Sequence, residues 1–234
     1  MENNLDFSNH TVMKLPFKVF GEEFAITDTI VSTWIIMGVL ILLAIIVKLS
    51  IKNYEKVPKG FQNFIEIIVS GMNKLVENTM GAKNKSFAPY FGMLFIFILI
   101  SNLSGLVTLR PPTADVATTL AMAIITFGMI QFFGMKEKGL FGYIKSFFQP
   151  IWALFPLNVI GELANPISLG FRLFGNILGG TIILALYYTL IPWAVLKVGI
   201  PVLLHGYLDV FAGILQAFIF VMLSMTFVAG AMEE

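Results

Sequence analysis

Polar side chains able to bind or pass an ion stand inside two apolar runs near the C-terminus of this 234-residue chain. The first run, 152–190, holds Glu162, Asn165, Ser168, Arg172, Asn176 and Thr181, and the second, 199–231, holds His205, Asp209 and Gln216. A charge at the centre of a membrane helix costs roughly 3 kcal/mol on insertion scales, so Arg172 has to serve a purpose there. A guanidinium does not give up its proton in a protein. It therefore cannot relay protons, but it can attract a carboxylate or bar a cation. Carboxylates and imidazoles, in contrast, can titrate or hydrate a path. The chemistry these types suit is ion movement, with the arginine as an electrostatic barrier.

Antiparallel register gives the barrier its expected neighbours. A turn near residue 194 puts Arg172 level with Gln216 and Thr181 level with Asp209, the second pair ~10–14 Å nearer the outside. Glu162 falls ~15 Å from Arg172 on the cytoplasmic side. One polar station is thus expected above the arginine and another below it. Arg172 and Asn176, four apart, share a helical face, as do Asp209 and Gln216, seven apart. Gly170, Gly175, Gly179 and Gly180 keep part of the helix small enough for another helix to approach. Plainer roles stay open: Asn176 and Gln216 suit interhelical hydrogen bonds, Glu162 a headgroup layer, and His205 an interfacial position. A buried pair between Asp209 and Arg172 is disfavoured by their difference in depth. With no carboxylate at its own level, Arg172 should find its partner on a different subunit.

The rest of the chain reads as support for this hairpin. It is 57% hydrophobic and 12% charged with mean hydropathy +0.86, about half the charge of a soluble domain. The expectation is an all-α, polytopic membrane protein with about five crossings. Residues 1–29 form a mixed N-terminal segment. Crossings follow at about 30–47, 87–109 and 116–135, then the long hairpin 152–190 and 199–231, which must tilt, kink or begin with an interfacial turn. Pro156, Pro166, Pro192 and Pro201 offer break points. Residues 61–76 have the spacing of an amphipathic helix on the membrane surface. Lysines after the first and third crossings put that side in the cytoplasm, the N-terminus outside, and Glu233 and Glu234 inside.

Several classes are excluded. The chain has no cysteine, so thiolate metal sites and cysteine nucleophiles are out. Its histidines are His10 and His205, and His10 lies in the polar N-terminal segment. No cofactor or metal is therefore expected, and an intramembrane metalloenzyme or protease lacks its residues. The start Met1-Glu-Asn-Asn-Leu-Asp6 lacks the pattern of a cleavable signal peptide. A net charge of +1 gives no sign of nucleic-acid binding. A self-contained channel or transporter would predict repeats and an internal counter-ion for Arg172, and neither is seen.

Pro166-Ile-Ser-Leu-Gly-Phe-Arg-Leu-Phe-Gly-Asn176 resembles the signature around the essential arginine of subunit a of the bacterial F-type ATP synthase. Leu215-Gln-Ala-Phe-Ile-Phe220, Ser101-Asn-Leu103 and Ala114-Asp-Val116 resemble further motifs of that family. The resemblance covers essentially residues 30–234. It implies a stator subunit of the Fo sector in the bacterial cell membrane, not an enzyme alone, with its tilted hairpin packed against a rotating ring of c subunits. Arg172 would separate two ion half-channels and pair transiently with a ring carboxylate. Gln216 would lie opposite it, Asn176 one turn on, and Asp209 in the outer half-channel. Glu162 is assigned to the inner exit. The partners implied are the c-ring carboxylates, the peripheral stalk b subunits and the whole F1Fo complex in its lipid bilayer, and the basic 48–86 segment is a candidate contact for the stalk. Many relatives carry a Glu and a His, in either order, at the positions of Thr181 and Asp209. Thr181 cannot titrate, so Asp209 would carry the outer station alone or with His205. The residues leave H⁺ and Na⁺ both open as the ion.

Overall fold

A computed structural model describes residues 11–19, 22–51, 57–107, 109–191 and 196–232. His10, Pro192, the expected turn near residue 194, Glu233 and Glu234 lie outside the described residues. The chain forms two antiparallel strands, β1 (Thr11–Val19) and β2 (Glu22–Thr27), followed by helices. These are α1 (Asp28–Ser50), α2 (Gly60–Met80), α3 (Ala88–Leu103), α4 (Val116–Ser146), α5 (Phe155–Leu190), α6 (Leu196–His205) and α7 (Ala212–Met232). Five helical stretches are long and apolar enough to cross a membrane: Asp28–Ser50, Ala82–Val107, Val116–Ser146, Trp152–Leu190 and Gly199–Met232. The protein is all-α apart from the N-terminal hairpin.

Two compact units divide the chain, and α3, α5 and α7 each contribute to both. The first contains residues 1–50, 97–115 and 174–216. Here α1 follows directly from β2, and Asp28 and Lys48 stand at its ends where their charges complement the helix dipole. It buries Thr29, Ser32, Ile36 and Leu40 and exposes Trp34, Ile41, Leu42 and Ile45, a lipid-facing distribution. Thr29 Oγ1 donates to Asp115 Oδ2 at 3.0 Å. Asn102 on α3 is fully engaged: its Nδ2 donates to the Gly213 carbonyl at 2.8 Å, and its Oδ1 accepts from Thr113 Oγ1 at 2.7 Å. Such pairing is what permits a carboxamide inside an apolar span.

The second unit contains residues 51–96, 116–173 and 217–234. Its core is Val76, Phe91, Ala123, Leu169, Leu173, Phe220, Val221, Met225 and Val228. Helix α2 buries Gln62, Val76 and Met80 and leaves Phe61, Phe64, Ile67 and Ile68 exposed. Phe87 stacks edge-on against Phe133, with ring centres 4.8 Å apart. Gly170 marks a tight crossing of α5 over α4, because a Cβ there would lie 2.8 Å from Leu120 Cδ2 and 3.4 Å from the Thr119 carbonyl.

Three features differ from regular helices read off the sequence. First, α4 continues past Met135 to Ser146 and breaks at Gly139, whose φ of 70° lies in the region glycine adopts without a Cβ clash. Second, α5 opens with a 3-10 turn at Trp152–Leu154 and then runs on through Pro166, which sits inside the helix. Proline removes one hydrogen bond there, but the long flanking helix holds the segment together. Third, the return run is interrupted by a wide π turn at Gly206–Phe211, between α6 and α7.

Candidate functional site

Among the described residues, each unit contains a polar cavity lined by a carboxylate that the sequence pointed to. The cavity of the first unit, about 420 Å³, is lined among others by Asn102, Arg110, Thr181, Tyr188, His205 and Asp209. The π turn carries Asp209, while His205 ends α6 just before it. His205 Nδ1 and Asp209 Oδ2 are 2.5 Å apart, and Tyr188 Oη lies 3.2 Å from His205 Nε2. Tyr188, His205 and Asp209 therefore form one hydrogen-bonded chain on the cavity wall. A π turn holds an extra residue relative to an α turn and recurs at functional sites. It also means that counting by sevens from Asp209 to Gln216 does not follow ordinary α geometry up to Phe211.

Two asparagines reach the backbone just beyond that turn. Asn176 Nδ2 donates to the Ala212 carbonyl at 3.5 Å, and Asn102 to that of Gly213. Thr181 lines the same cavity, but its hydroxyl donates to the Ile177 carbonyl at 3.0 Å, one turn back in its own helix. Gln216 is buried, and its Nε2 has no hydrogen-bond partner among the described residues.

The second unit has a cavity of about 560 Å³ lined by residues that include Lys138, Tyr143, Asn158, Glu162, Asn165 and Thr226. Glu162 Oε1 accepts from Gln131 Nε2 at 3.1 Å, and Gln131 Oε1 accepts from Tyr143 Oη at 2.9 Å. Asn158 Nδ2 donates to the Phe147 and Gln149 carbonyls at 2.8 and 3.0 Å, which fixes the chain entering α5.

Arg172 belongs to the second unit, next to the boundary at Leu173. Its side chain is exposed, as are those of Ser168 and Phe171, and among the described residues no carboxylate forms an ion pair with it. The glycines of α5 divide into two sets. Gly170 meets Leu120, and Gly180 lies with a Cβ position 3.5 Å from Leu208, whereas Gly175 and Gly179 meet nothing within 4 Å. Gly175 and Gly179 come three and seven residues after Arg172, the spacing of one helical face, and Gly161, equally open, lines the cavity of the second unit. Tyr188, Gln131 and Tyr143 were not singled out by sequence. Gln131 had a signal, being the only carboxamide in 116–135. Among the described residues no group of three or more His, Asp or Glu is placed to hold a metal ion.

Membrane-length helices with a carboxylate cavity in each unit and an unpaired arginine belong to the class of ion-translocating membrane subunits. The sequence matches the ATP synthase A chain family over residues 30–229, and the chain belongs to that family. ATP synthase subunit a of Geobacter sulfurreducens is 40% identical over 212 residues, 88% of each chain. The subunit a of Citrifermentans bemidjiense is 41% identical, covering 98% of this chain and 96% of its own. A relative from Propionigenium modestum, "ATP synthase subunit a, sodium ion specific", is 35% identical over 95% of this chain and 79% of its own. Membership makes this a multi-pass protein of the bacterial plasma membrane and a part of the F1Fo complex. It moves ions in the Fo sector and is not itself the catalytic subunit.

Proposed function

We propose that this chain couples proton translocation to rotation of a ring of c subunits through two half-channels separated by Arg172. The observation that carries the reading is the order along α5. Glu162 lines one cavity, Thr181 lines the other, and the exposed, unpaired Arg172 stands between them in the chain. An arginine cannot relay the ion, so a carrier must pass it, and its charge blocks a direct leak. The open face of Ser168, Arg172, Gly175 and Gly179 suits close approach by a ring helix whose deprotonated carboxylate pairs with the guanidinium. In this reading the Asp209 cavity opens outward and the Glu162 cavity to the cytoplasm. The N-terminus is outside, the C-terminus inside, and the basic 48–86 segment meets the peripheral stalk.

A proton is favoured over Na⁺ by the Tyr188–His205–Asp209 chain. Imidazole passes protons near neutral pH but is a poor ligand for a hard alkali cation, which prefers oxygen. The sodium-specific relative supplies the rival reading. Stimulation of membrane ATPase activity by Na⁺ would favour that rival.

The role of Arg172 is tested with Arg172→Ala in inverted vesicles carrying the complete complex. ATP-driven pumping should be abolished while the complex stays assembled. Pumping retained at a comparable rate would remove Arg172 from this role.

A further inference from the structure

The Glu162 cavity contains a device that the two-half-channel reading does not use. Helix α4 breaks at Gly139, and beyond the break Tyr143 lies against Gly134, where a Cβ would come within 2.8 Å of Tyr143 Cε2. That close approach lets the Tyr143 hydroxyl reach Gln131, twelve residues back in the same element. The Tyr143 hydroxyl can donate to an amide oxygen or accept from an amide nitrogen, but a carboxylate only accepts, so the two contacts together fix which way the Gln131 amide points. Its NH₂ is then turned toward Glu162 Oε1.

We infer that Gln131 and Tyr143 are positioning residues for Glu162, holding its carboxylate in one orientation at the wall of the cavity. The amide has no proton to exchange, so the arrangement orients the carboxylate and does not carry the ion. A carboxylate held at one oxygen by an aimed donor loses rotamer freedom and presents a fixed acceptor to the cavity. The other ionisable groups lining that cavity are Lys138 and Tyr143, both on α4, and α7 contributes Thr226 and no ionisable side chain. The inference rests on Glu162 as the inner station.

The experiment is a double-mutant cycle on ATP-driven ion uptake by inverted vesicles containing the complete complex, normalised to the amount of complex present. Tyr143→Phe keeps the ring that packs on Gly134 and removes only the hydroxyl. It should slow uptake about three- to tenfold, the scale of one hydrogen bond to a charged-group network. Gln131→Leu should do the same or more. In a Glu162→Gln background, itself impaired, neither change should slow uptake further. The dependence of uptake on pH at the cytoplasmic face should change in Tyr143→Phe and be insensitive to it once Glu162 is replaced. Tyr143→Phe at the parental rate would overturn the inference, as would losses that simply multiply with that of Glu162→Gln. Parental uptake in Glu162→Gln alone would instead overturn the inner-station reading beneath it.

Discussion

The two cavities solve different problems with the same class of residue. Around Asp209 the side chains form a chain of three groups that can exchange protons, Tyr188, His205 and Asp209. Around Glu162 the carboxylate is backed by an amide, which cannot, and the Tyr143 hydroxyl lies beyond that amide. In the proposed function the first cavity takes the proton up through linked groups, and the second releases it from an oriented carboxylate. The backbone differs in the same sense. Asp209 sits in a π turn, whereas Glu162 sits in α-helix, at the carbonyl that Pro166 leaves without its i→i−4 donor.

That contrast can be attacked at each of its members. The largest effect should come from Asp209→Asn, which leaves the cavity shape but removes the carboxylate: proton pumping should fall by at least about tenfold, the cost of losing a positioned acid–base group. Pumping close to the parental rate would move the uptake station elsewhere. Tyr188→Phe should slow pumping by only about two- to fivefold, because it removes the end of the chain and one neutral hydrogen bond. An effect as large as that of Asp209→Asn would make the tyrosine, and not the carboxylate, the group that matters. Thr181→Ala should change the rate by less than about twofold, since its hydroxyl is already committed to the Ile177 carbonyl. A loss exceeding that of Asp209→Asn would reverse the assignment. Rates from all three are compared at equal amounts of assembled complex.

The all-α membrane class and its five long helices were legible because a bilayer demands long apolar runs, and this chain keeps its charges mostly between them. Polar residues inside those runs pointed to the cavity linings at Glu162, Asn165, Thr181, His205 and Asp209. What stayed hidden depends on backbone detail or on contacts distant in sequence. Nothing in Gly206–Phe211 distinguishes a π turn from an α turn by composition. The crossing looked as if it ended at Met135, before the bend at Gly139, because Lys136 and Lys138 follow. Pro166 looked like a break, yet α5 absorbs it. Tyr143, between the expected crossings, and Tyr188, near the end of the 152–190 run, are not marked by their sequence neighbours. Their roles emerge only once Gln131 and His205 are beside them in space. The N-terminal strand pair was equally unmarked in a short mixed segment.

The central claim is that two aqueous paths open on opposite sides of the membrane and do not join. The chain has no cysteine, so a single replacement gives it one thiol, and labelling is read on this subunit alone. Thr181→Cys and Asn165→Cys, each in the complete complex, can be challenged with a membrane-impermeant thiol reagent applied to one face at a time. Thr181→Cys should react only from the outside and Asn165→Cys only from the cytoplasmic side. Reaction of both from the same face, or of either from both faces, would contradict separate half-channels.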